Sequence, residues 1–303
     1  MLTYPNKAPK NKEHIQDETS TQEGKALPYP GKYFTNGKLD NKKIPPYLKG
    51  LALDDPTKIN ITPEQVCQFI DTCCIGPGRE KLFTTENIPG RAKDFEATVE
   101  LTDYTPWQEH LRSCSPADKL ELEKIIYQLK QNDLICDSTP PYAKRCLLIR
   151  KKDGRNKIAL SLNTLNKRVV KNTYPLPLIK DMLDCLSGSK YFSLIDVCSA
   201  YHSIPIKKEH QKYFAFITHI GLFMWKRLPY GFRNAGAIFC HLMDKLLAGL
   251  KWVILCVYCD DILVFAGETF EEHLAALNKT FDRLKAGGLT LSIAKCSLFQ
   301  RFL

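Results

Sequence analysis

Downstream of residue 115, hydrophobic positions recur with two distinct periods. Leu122, Ile125, Ile126 and Leu129 fall at i, i+3, i+4 and i+7 behind Ser115-Pro116-Ala117-Asp118. A serine cap followed by proline at the first helical position predicts a helix there with one apolar face. Ile179, Met182, Leu183 and Leu186 predict a second helix, stopped by Gly188. Phe239, Leu242, Met243, Leu246 and Leu247 predict a third, entered through a Leu228-Pro229-Tyr230-Gly231 turn. Leu274, Leu277, Phe281 and Leu284 predict a fourth, opened by the capping box Thr269-Phe270-Glu271-Glu272 and closed by Gly287-Gly288. Short apolar runs of strand length lie between the helices. Residues 146–150 and 157–162 flank a Lys152-Asp153-Gly154 turn, 191–196 form a further strand, and 214–216 with 222–225 read as a ribbon. Residues 253–265 read as a hairpin and 289–293 as a last strand. From residue 178 the order is helix, strand, ribbon, helix, hairpin, helix, strand, which predicts an α+β fold with helices on one face of a sheet.

Residues 1–90 behave differently. They are rich in Lys, Asn, Thr and Pro and show no sustained periodicity before Ile61. Most of 1–58 is therefore expected to be extended or disordered, and the region as a whole a largely irregular leader. One short helix is expected near 62–70, with Thr62 as cap and Pro63 at its first position.

Composition narrows the class. A hydrophobic share of 44% and a charged share of 25% are those of a soluble globular protein, and 303 residues allow about two domains. The uncharged apolar run 252–259 is far too short to span a bilayer, and the N-terminus has no apolar core of a secretory signal. The 12 cysteines are scattered without paired CxxC spacings, Cys256 to Cys259 having no second such spacing to pair with, and Cys185, Cys198, Cys240 and Cys256 fall in core segments. That argues for reduced thiols in an intracellular compartment, against a zinc knuckle or a disulfide scaffold. The net charge of +10 is unevenly placed: residues 1–90 contribute +1, and the 28 positions of 144–171 hold ten basic residues against the single acid Asp153. Such a cluster is the footprint of a polyphosphate or nucleic-acid partner, with a solvated charged hairpin as the alternative.

The candidate chemistry rests on three aspartates. Asp196 ends the stretch Tyr191-Phe192-Ser193-Leu194-Ile195, and Asp260-Asp261 interrupts the apolar run 253–265. Carboxylates are depleted in strands and almost never fully buried without a partner. Three of them framed by strand-forming residues point to a cation, and to a two-metal site for phosphoryl transfer with oxygen ligands suited to Mg²⁺. Adjacent residues of a straight strand point to opposite faces. A tight turn near Cys259-Asp260 would instead present both carboxylates at one edge, although it lacks the favoured Asn-Gly or Asp-Gly. An ordinary surface turn with two solvated aspartates is the competing reading for the pair alone.

With these motifs in this order, the chain resembles the reverse transcriptase of gypsy-type LTR retrotransposons and retroviruses over about residues 96–303. The resemblance is carried by Phe192-Ser193-Leu194-Ile195-Asp196 with Ser199-Ala200-Tyr201-His202-Ser203-Ile204-Pro205-Ile206, and by Leu228-Pro229-Tyr230-Gly231-Phe232 with Asn234-Ala235 and Leu242-Met243-Asp244. Tyr258-Cys259-Asp260-Asp261 matches the family's Tyr-x-Asp-Asp box, and His273-Leu274, Gly288-Leu289 and Lys295-Cys296 follow in register.

The resemblance implies a right-hand polymerase fold. Fingers would occupy about 96–175 and 207–227, and a ferredoxin-like βαββαβ palm 176–206 and 228–303. It implies RNA-directed DNA polymerase activity, a nucleotidyl transfer from dNTP to a primer 3′-hydroxyl on an RNA or DNA template. Asp196, Asp260, Asp261 and the backbone of Val197 would hold two Mg²⁺ ions, with Mn²⁺ as a substitute. Backbone amides from Val197 through Cys198 and Ser199 to Ala200 would face the triphosphate. Tyr201 would lie under the incoming sugar and exclude a 2′-hydroxyl, Tyr230-Gly231 would pack on the nucleotide, Lys151 and Lys157 would place cations on the triphosphate, and Lys295 would act as general acid toward pyrophosphate. The family context implies a longer Pol polyprotein with ribonuclease H and integrase, located in the cytoplasm or in retrotransposon particles.

Several positions depart from the family pattern. Ser161-Leu162-Asn163 replaces the usual Asp-aromatic-Arg, Lys157 stands for an Arg and so loses bidentate phosphate recognition, and Gly236 stands where Pro is common. The chain stops at Leu303, where relatives continue into a thumb, so this chain alone is expected to be weakly processive or inactive. These departures support the alternative of a truncated, non-catalytic remnant that binds nucleic acid.

Overall fold

A computed structural model describes residues 32–301 except 56, 87, 112, 151–153, 155 and 176. The strands, in chain order, are β1 Phe34–Thr35, β2 Lys38–Leu39, β3 Phe83–Thr84, β4 Ile135–Asp137, β5 Lys144–Arg150, β6 Asn156–Leu160, β7 Phe192–Asp196, β8 Ala215–Thr218, β9 Gly221–Trp225, β10 Leu255–Tyr258, β11 Asp261–Val264, β12 Leu291–Ser292 and β13 Ser297–Gln300. The helices are α1 Pro63–Phe69, α2 Pro116–Gln131, α3 Asn163–Arg168, α4 Ile179–Cys185, α5 Ala235–Leu246 and α6 Phe270–Ala286.

Four strands form one sheet in the order β10-β11-β7-β13, with every neighbour antiparallel. Along the chain the unit runs β7, α5, β10, β11, α6, β13, with the first strand between the last and the third. That is the βαββαβ arrangement of a ferredoxin-like sheet. The alternation of β7 explains its placement: Ser193 and Ile195 are buried, while Leu194 and Asp196 lie on the more open face. β11 repeats the pattern, with Ile262 and Val264 opposite Ile195 and Ser193.

α6 covers this sheet with the face read from its sequence. Leu274, Leu277, Phe281 and Leu284 are all buried, each such side chain stabilising by roughly 1.5–3 kcal/mol. The predicted capping box is present: Thr269 accepts from the Glu272 amide, and Glu272 accepts from the Thr269 amide. His273 links three elements through a chain of consistent donors. Its Nδ1 must donate to the Ala266 carbonyl at 3.1 Å, so Nε2 accepts from the Ser193 hydroxyl at 2.7 Å. Ser193 Oγ in turn accepts from the Phe299 amide at 3.0 Å. Burial holds His273 neutral, with its pKa lowered to about 4.

The reading of 1–58 as mostly extended or disordered does not hold for its described part. Tyr33, Phe34, Ile44, Leu48, Leu51 and Leu53 are buried in the common core, as is Ile59 just beyond. Apolar residues spaced irregularly among polar ones carry no period, yet Leu51 and Ile59 share a pocket with Ile293 and Leu298 near the far end of the chain. The expected helix near 62–70 is α1, with a capping box between Thr62 and Gln65. Its Phe69 packs edge-on against Phe281 of α6 and Phe299 of β13. β3 pairs in parallel with β12, and Arg79 reaches Asp282 at 2.5 Å and Asn278 Oδ1 at 2.8 Å on α6. Residues 90–93 cross Gly287-Gly288 so closely that a Cβ on Gly288 would lie 2.2 Å from the Arg91 carbonyl.

The second sheet has the order β4-β9-β8-β5-β6. β8 and β9 are the predicted ribbon, and β5 and β6 the predicted basic hairpin. α2 forms as expected, with Leu122 and Ile126 buried and Ile125 and Leu129 partly so. Two elements differ from their sequence patterns. α4 forms, but its apolar face is only half covered: Met182 and Leu186 are partly buried, while Ile179 is 58% and Leu183 62% exposed. The last strand is shorter than expected, because residues 293–295 turn as a 3-10 helix between β12 and β13. The cysteines other than Cys114 are free thiols, and among the described residues no helix is long and apolar enough to cross a membrane.

Candidate active site

The Asp-Asp segment is a two-residue hairpin turn. Tyr258 pairs with Asp261, leaving Cys259 and Asp260 as the central residues. Cys259 takes φ 54, supplying the positive φ that a primed hairpin turn needs at its first central position, here without glycine. A second non-glycine residue in the left-handed region, Ser199 at φ 46, follows Asp196 by three positions. Such backbone outliers cluster at functional sites.

Asp261 lies directly opposite Asp196 in the ladder between β11 and β7. Directly opposed residues point to the same face, so two carboxylates meet there with Asp260 at the adjoining turn, an arrangement that costs stability without a cation. Burial and then the Asp260 charge push Asp196 up, against the pull of Lys295. Asp261 is raised by burial, then by Asp260 and Asp196. Lys295 donates to both Asp196 carboxylate oxygens, at 3.3 and 3.4 Å. Among the described residues, no three His, Cys, Asp or Glu side chains converge as a ready-made metal cluster. The donor set nevertheless fits a hard cation: three oxygen carboxylates, two of them raised by burial and mutual repulsion, with one ammonium already drawn in.

Asp196, Asp260 and Lys295 open onto a cavity of about 450 Å³ between the two sheets. Asp196, Val197, Ser199, Asp260 and Lys295 line one side, and α2 and β6, with Lys157, line the other. Tyr230 closes it, with Lys157 Nζ 5.7 Å from the centre of its ring. Tyr201 stands behind, its ring 5.1 Å from Tyr230 and 6.0 Å from Phe239, and burial pushes its hydroxyl up to about 12. Gly231 takes φ +87, which lets the chain turn sharply after Tyr230.

Not every residue singled out in the sequence has a free group here. The Cys198 amide donates to the Thr290 carbonyl at 2.8 Å, because Val197 bridges to Leu291, so it has no hydrogen to offer a phosphate. Val197, Cys198 and Ala200 have buried side chains. Lys151 lies outside the described residues. His202 was not singled out for a role, although it lies within the Ser199–Ile206 motif. It lines the cavity, stacks on Trp225 at 4.6 Å and meets the Tyr230 ring edge-on at 4.9 Å. Burial, then Lys157, lowers it to about 3, so it serves as a neutral aromatic wedge.

Residues 149–302, which hold β6, the opposed aspartates, the hairpin turn and Lys295, match the family model described as reverse transcriptase (RNA-dependent DNA polymerase). The chain belongs to the reverse transcriptase family. Relatives within it include the transposon Tf2-3 and Tf2-7 polyproteins of Schizosaccharomyces pombe, each 31% identical over 222 residues. That stretch is 71% of this chain but 16% of either polyprotein. Among solved reverse transcriptases, the foamy viral protease-reverse transcriptase in complex with an RNA/DNA hybrid superposes with a TM-score of 0.72 at 26% identity. The likeness covers 84% of this chain and 33% of that one. The same enzyme in complex with double-stranded DNA gives a TM-score of 0.68 at 26% identity, covering 84% of this chain and 50% of that one. A share of 84% exceeds what the residues from 91 on can supply, so the reverse transcriptase likeness reaches into the first 90. The fold is therefore the right-hand polymerase fold, and enzymes of the family depend on divalent metal ions.

Proposed function

We propose that this chain is the RNA-directed DNA polymerase core of a retroelement, transferring nucleotides from dNTP to a primer 3′-hydroxyl. The observation that carries the reading is Asp196, opposed to Asp261 in the ladder, meeting Asp260 of the turn in a cavity whose other wall carries Lys157. We assign the four-stranded unit to the palm and the β4-β9-β8-β5-β6 sheet to the fingers. Asp196, Asp260, Asp261 and the Val197 backbone would hold two divalent ions, Mg²⁺ or Mn²⁺, which supply charge neutralisation at the primer hydroxyl and the leaving pyrophosphate. The chain's own residues position the reactants. Tyr230 and Tyr201 would bracket base and sugar, Lys157 with Lys151 would meet the triphosphate, and Lys295, released from Asp196, would protonate pyrophosphate. Partners in this reading are a primed RNA or DNA template and the rest of a Pol polyprotein that carries ribonuclease H and integrase. Its place is the cytoplasm or a retrotransposon particle.

Extension of a DNA primer on an RNA template, with Mg²⁺ and then with excess chelator, tests the activity. Metal-dependent extension is expected. Tight primer–template binding with no extension under Mg²⁺, nor under Mn²⁺ in its place, would instead establish the non-catalytic, nucleic-acid-binding alternative.

The basic window contributes less uniformly than its sequence implied. Lys144 is fully buried; it donates to the Tyr213 carbonyl and lies over Trp107 at 4.6 Å, and burial lowers its pKa to about 7. Arg150 pairs with Asp118 and Arg168 with Asp103. Arg145, Lys167 and Lys171 are exposed and carry no ion pair among the described residues. Reversing these three charges should flatten the salt dependence of primer–template binding, by about 0.7–0.9 in log–log slope for each phosphate no longer neutralised. An unchanged slope would identify them as solvated surface only.

A further inference from the structure

Two asparagine side chains tie the segment after β6 to the turn that carries Tyr230, and they do so reciprocally. Asn166, inside the short helix α3, donates from Nδ2 to the Gly231 carbonyl at 2.9 Å. Its Oδ1 accepts from the Arg233 amide, also at 2.9 Å. From the other side, Asn234 donates from Nδ2 to the Val170 carbonyl at 2.8 Å and accepts from the Asn172 amide at 3.1 Å. Each amide therefore reads one backbone acceptor and one backbone donor of the opposite segment, as a neighbouring strand would. The partners fix the orientation of both amides, since a carbonyl can only accept and a backbone N–H can only donate.

Asn234 shows that this is more than local convenience. It is the N-cap residue of α5, a position where an Asn side chain ordinarily satisfies the helix's own first amides. Here it makes no capping bond and turns across to residues 170–172 instead. Asn is also a poor interior residue for a helix, which is where Asn166 sits. The segment they hold needs holding. Gly231 at φ +87 has the widest backbone freedom of any residue, and it directly follows Tyr230, the ring at the mouth of the cavity. On the other side of the clamp, α3 continues from β6, which places Lys157 against that same ring.

We propose that Asn166 and Asn234 are positioning residues that lock the Tyr230-Gly231 turn to the fingers segment 166–172, and thereby set Tyr230 for the incoming nucleotide. The proposal rests on the polymerase reading of the site. Neither asparagine touches the nucleotide; both act through Tyr230.

Asn166→Asp and Asn234→Asp test this, because each keeps size and the acceptor arm and replaces the donor arm by an oxygen facing a carbonyl. Steady-state extension should show KM for dNTP raised about tenfold with kcat little changed, the scale of one misplaced hydrogen bond. Primer–template affinity should stay the same. In a Tyr230→Ala background the Asn166→Asp change should add almost nothing, since both act on one interaction. Equal effects in both backgrounds, or a fall in kcat alone, would overturn the positioning role. Hydrogen exchange of residues 228–234 needs no activity and should quicken in both variants. If the wild-type chain does not extend primers, the polymerase reading fails, while unchanged exchange would overturn the clamp itself. Should Asn166→Asp not fold, Asn166→Ser removes both arms without adding charge and carries the same measurements.

Discussion

Asp260→Asn and Asp196→Asn should each lower primer extension by more than ~10²-fold, about 3 kcal/mol of barrier, while leaving the thermal midpoint unchanged or slightly higher. The two halves of this expectation have one cause. Asp196 faces Asp261 across the ladder between β7 and β11, with Asp260 at the turn beside them. Both Asp196 and Asp261 have their carboxyls pushed up, by burial first and by the neighbouring negative charges after it. Replacing one carboxylate by its neutral isostere removes repulsion from the folded chain, so stability does not fall. It also removes a charge that a hard divalent ion requires. Loss of activity together with loss of folding would mean the aspartates serve the structure. Near-normal extension by either variant would sink the metal assignment outright. In Asp196→Asn, Lys295 also loses its charged partner, so the lysine should become more accessible to amine-reactive reagents.

Tyr201→Ala should open the site to ribonucleotides, reducing discrimination against rNTP by about 10–100-fold, the range set by one group that a pocket excludes sterically. Tyr201 lies five residues beyond Asp196 on a 3-10 turn that leaves the sheet, and its ring packs against Tyr230 and Phe239. A Cβ at Gly236 would lie 3.9 Å from its hydroxyl, so the glycine leaves room behind the ring. In the proposed reading, exclusion would come from the bulk of the ring and not from the hydroxyl, so Tyr201→Phe should retain discrimination. Competition between dNTP and rNTP on one primer–template measures both variants. If sugar selection is unchanged in Tyr201→Ala, the ring is core packing.

Much of the architecture was legible because α-helical and strand periods are local properties. The face of α6, its capping box, the β8–β9 ribbon and the Asp-Asp hairpin all follow from residues within one turn or one strand of each other. α4 failed for the complementary reason. Its period-of-four apolar face predicts a helix correctly, but nothing local says whether another element will cover it, and Leu183 stays exposed. Residues 32–59 failed in the opposite sense. Their buried side chains are spaced irregularly because they dock on distant segments: Leu51 and Ile59 line one pocket with Ile293 and Leu298, more than two hundred residues later in the chain.

The site divides along the same line. Residue type and order singled out Asp196, Asp260 and Asp261, because carboxylates inside apolar strands are costly enough to mark themselves, whereas Tyr201, Tyr230 and Lys295 were named only through the resemblance to reverse transcriptases. Tertiary structure alone decided what those groups face. Strand register put Asp196 opposite Asp261, the bridge to Leu291 occupied the Cys198 amide, and burial against Trp107 took Lys144 out of the basic surface. It also brought His202 beneath Tyr230 and engaged the two asparagine amides across 62 and 65 residues. A hydrogen bond or a stacked ring depends on positions to within an ångström, and that precision arises only when distant segments pack.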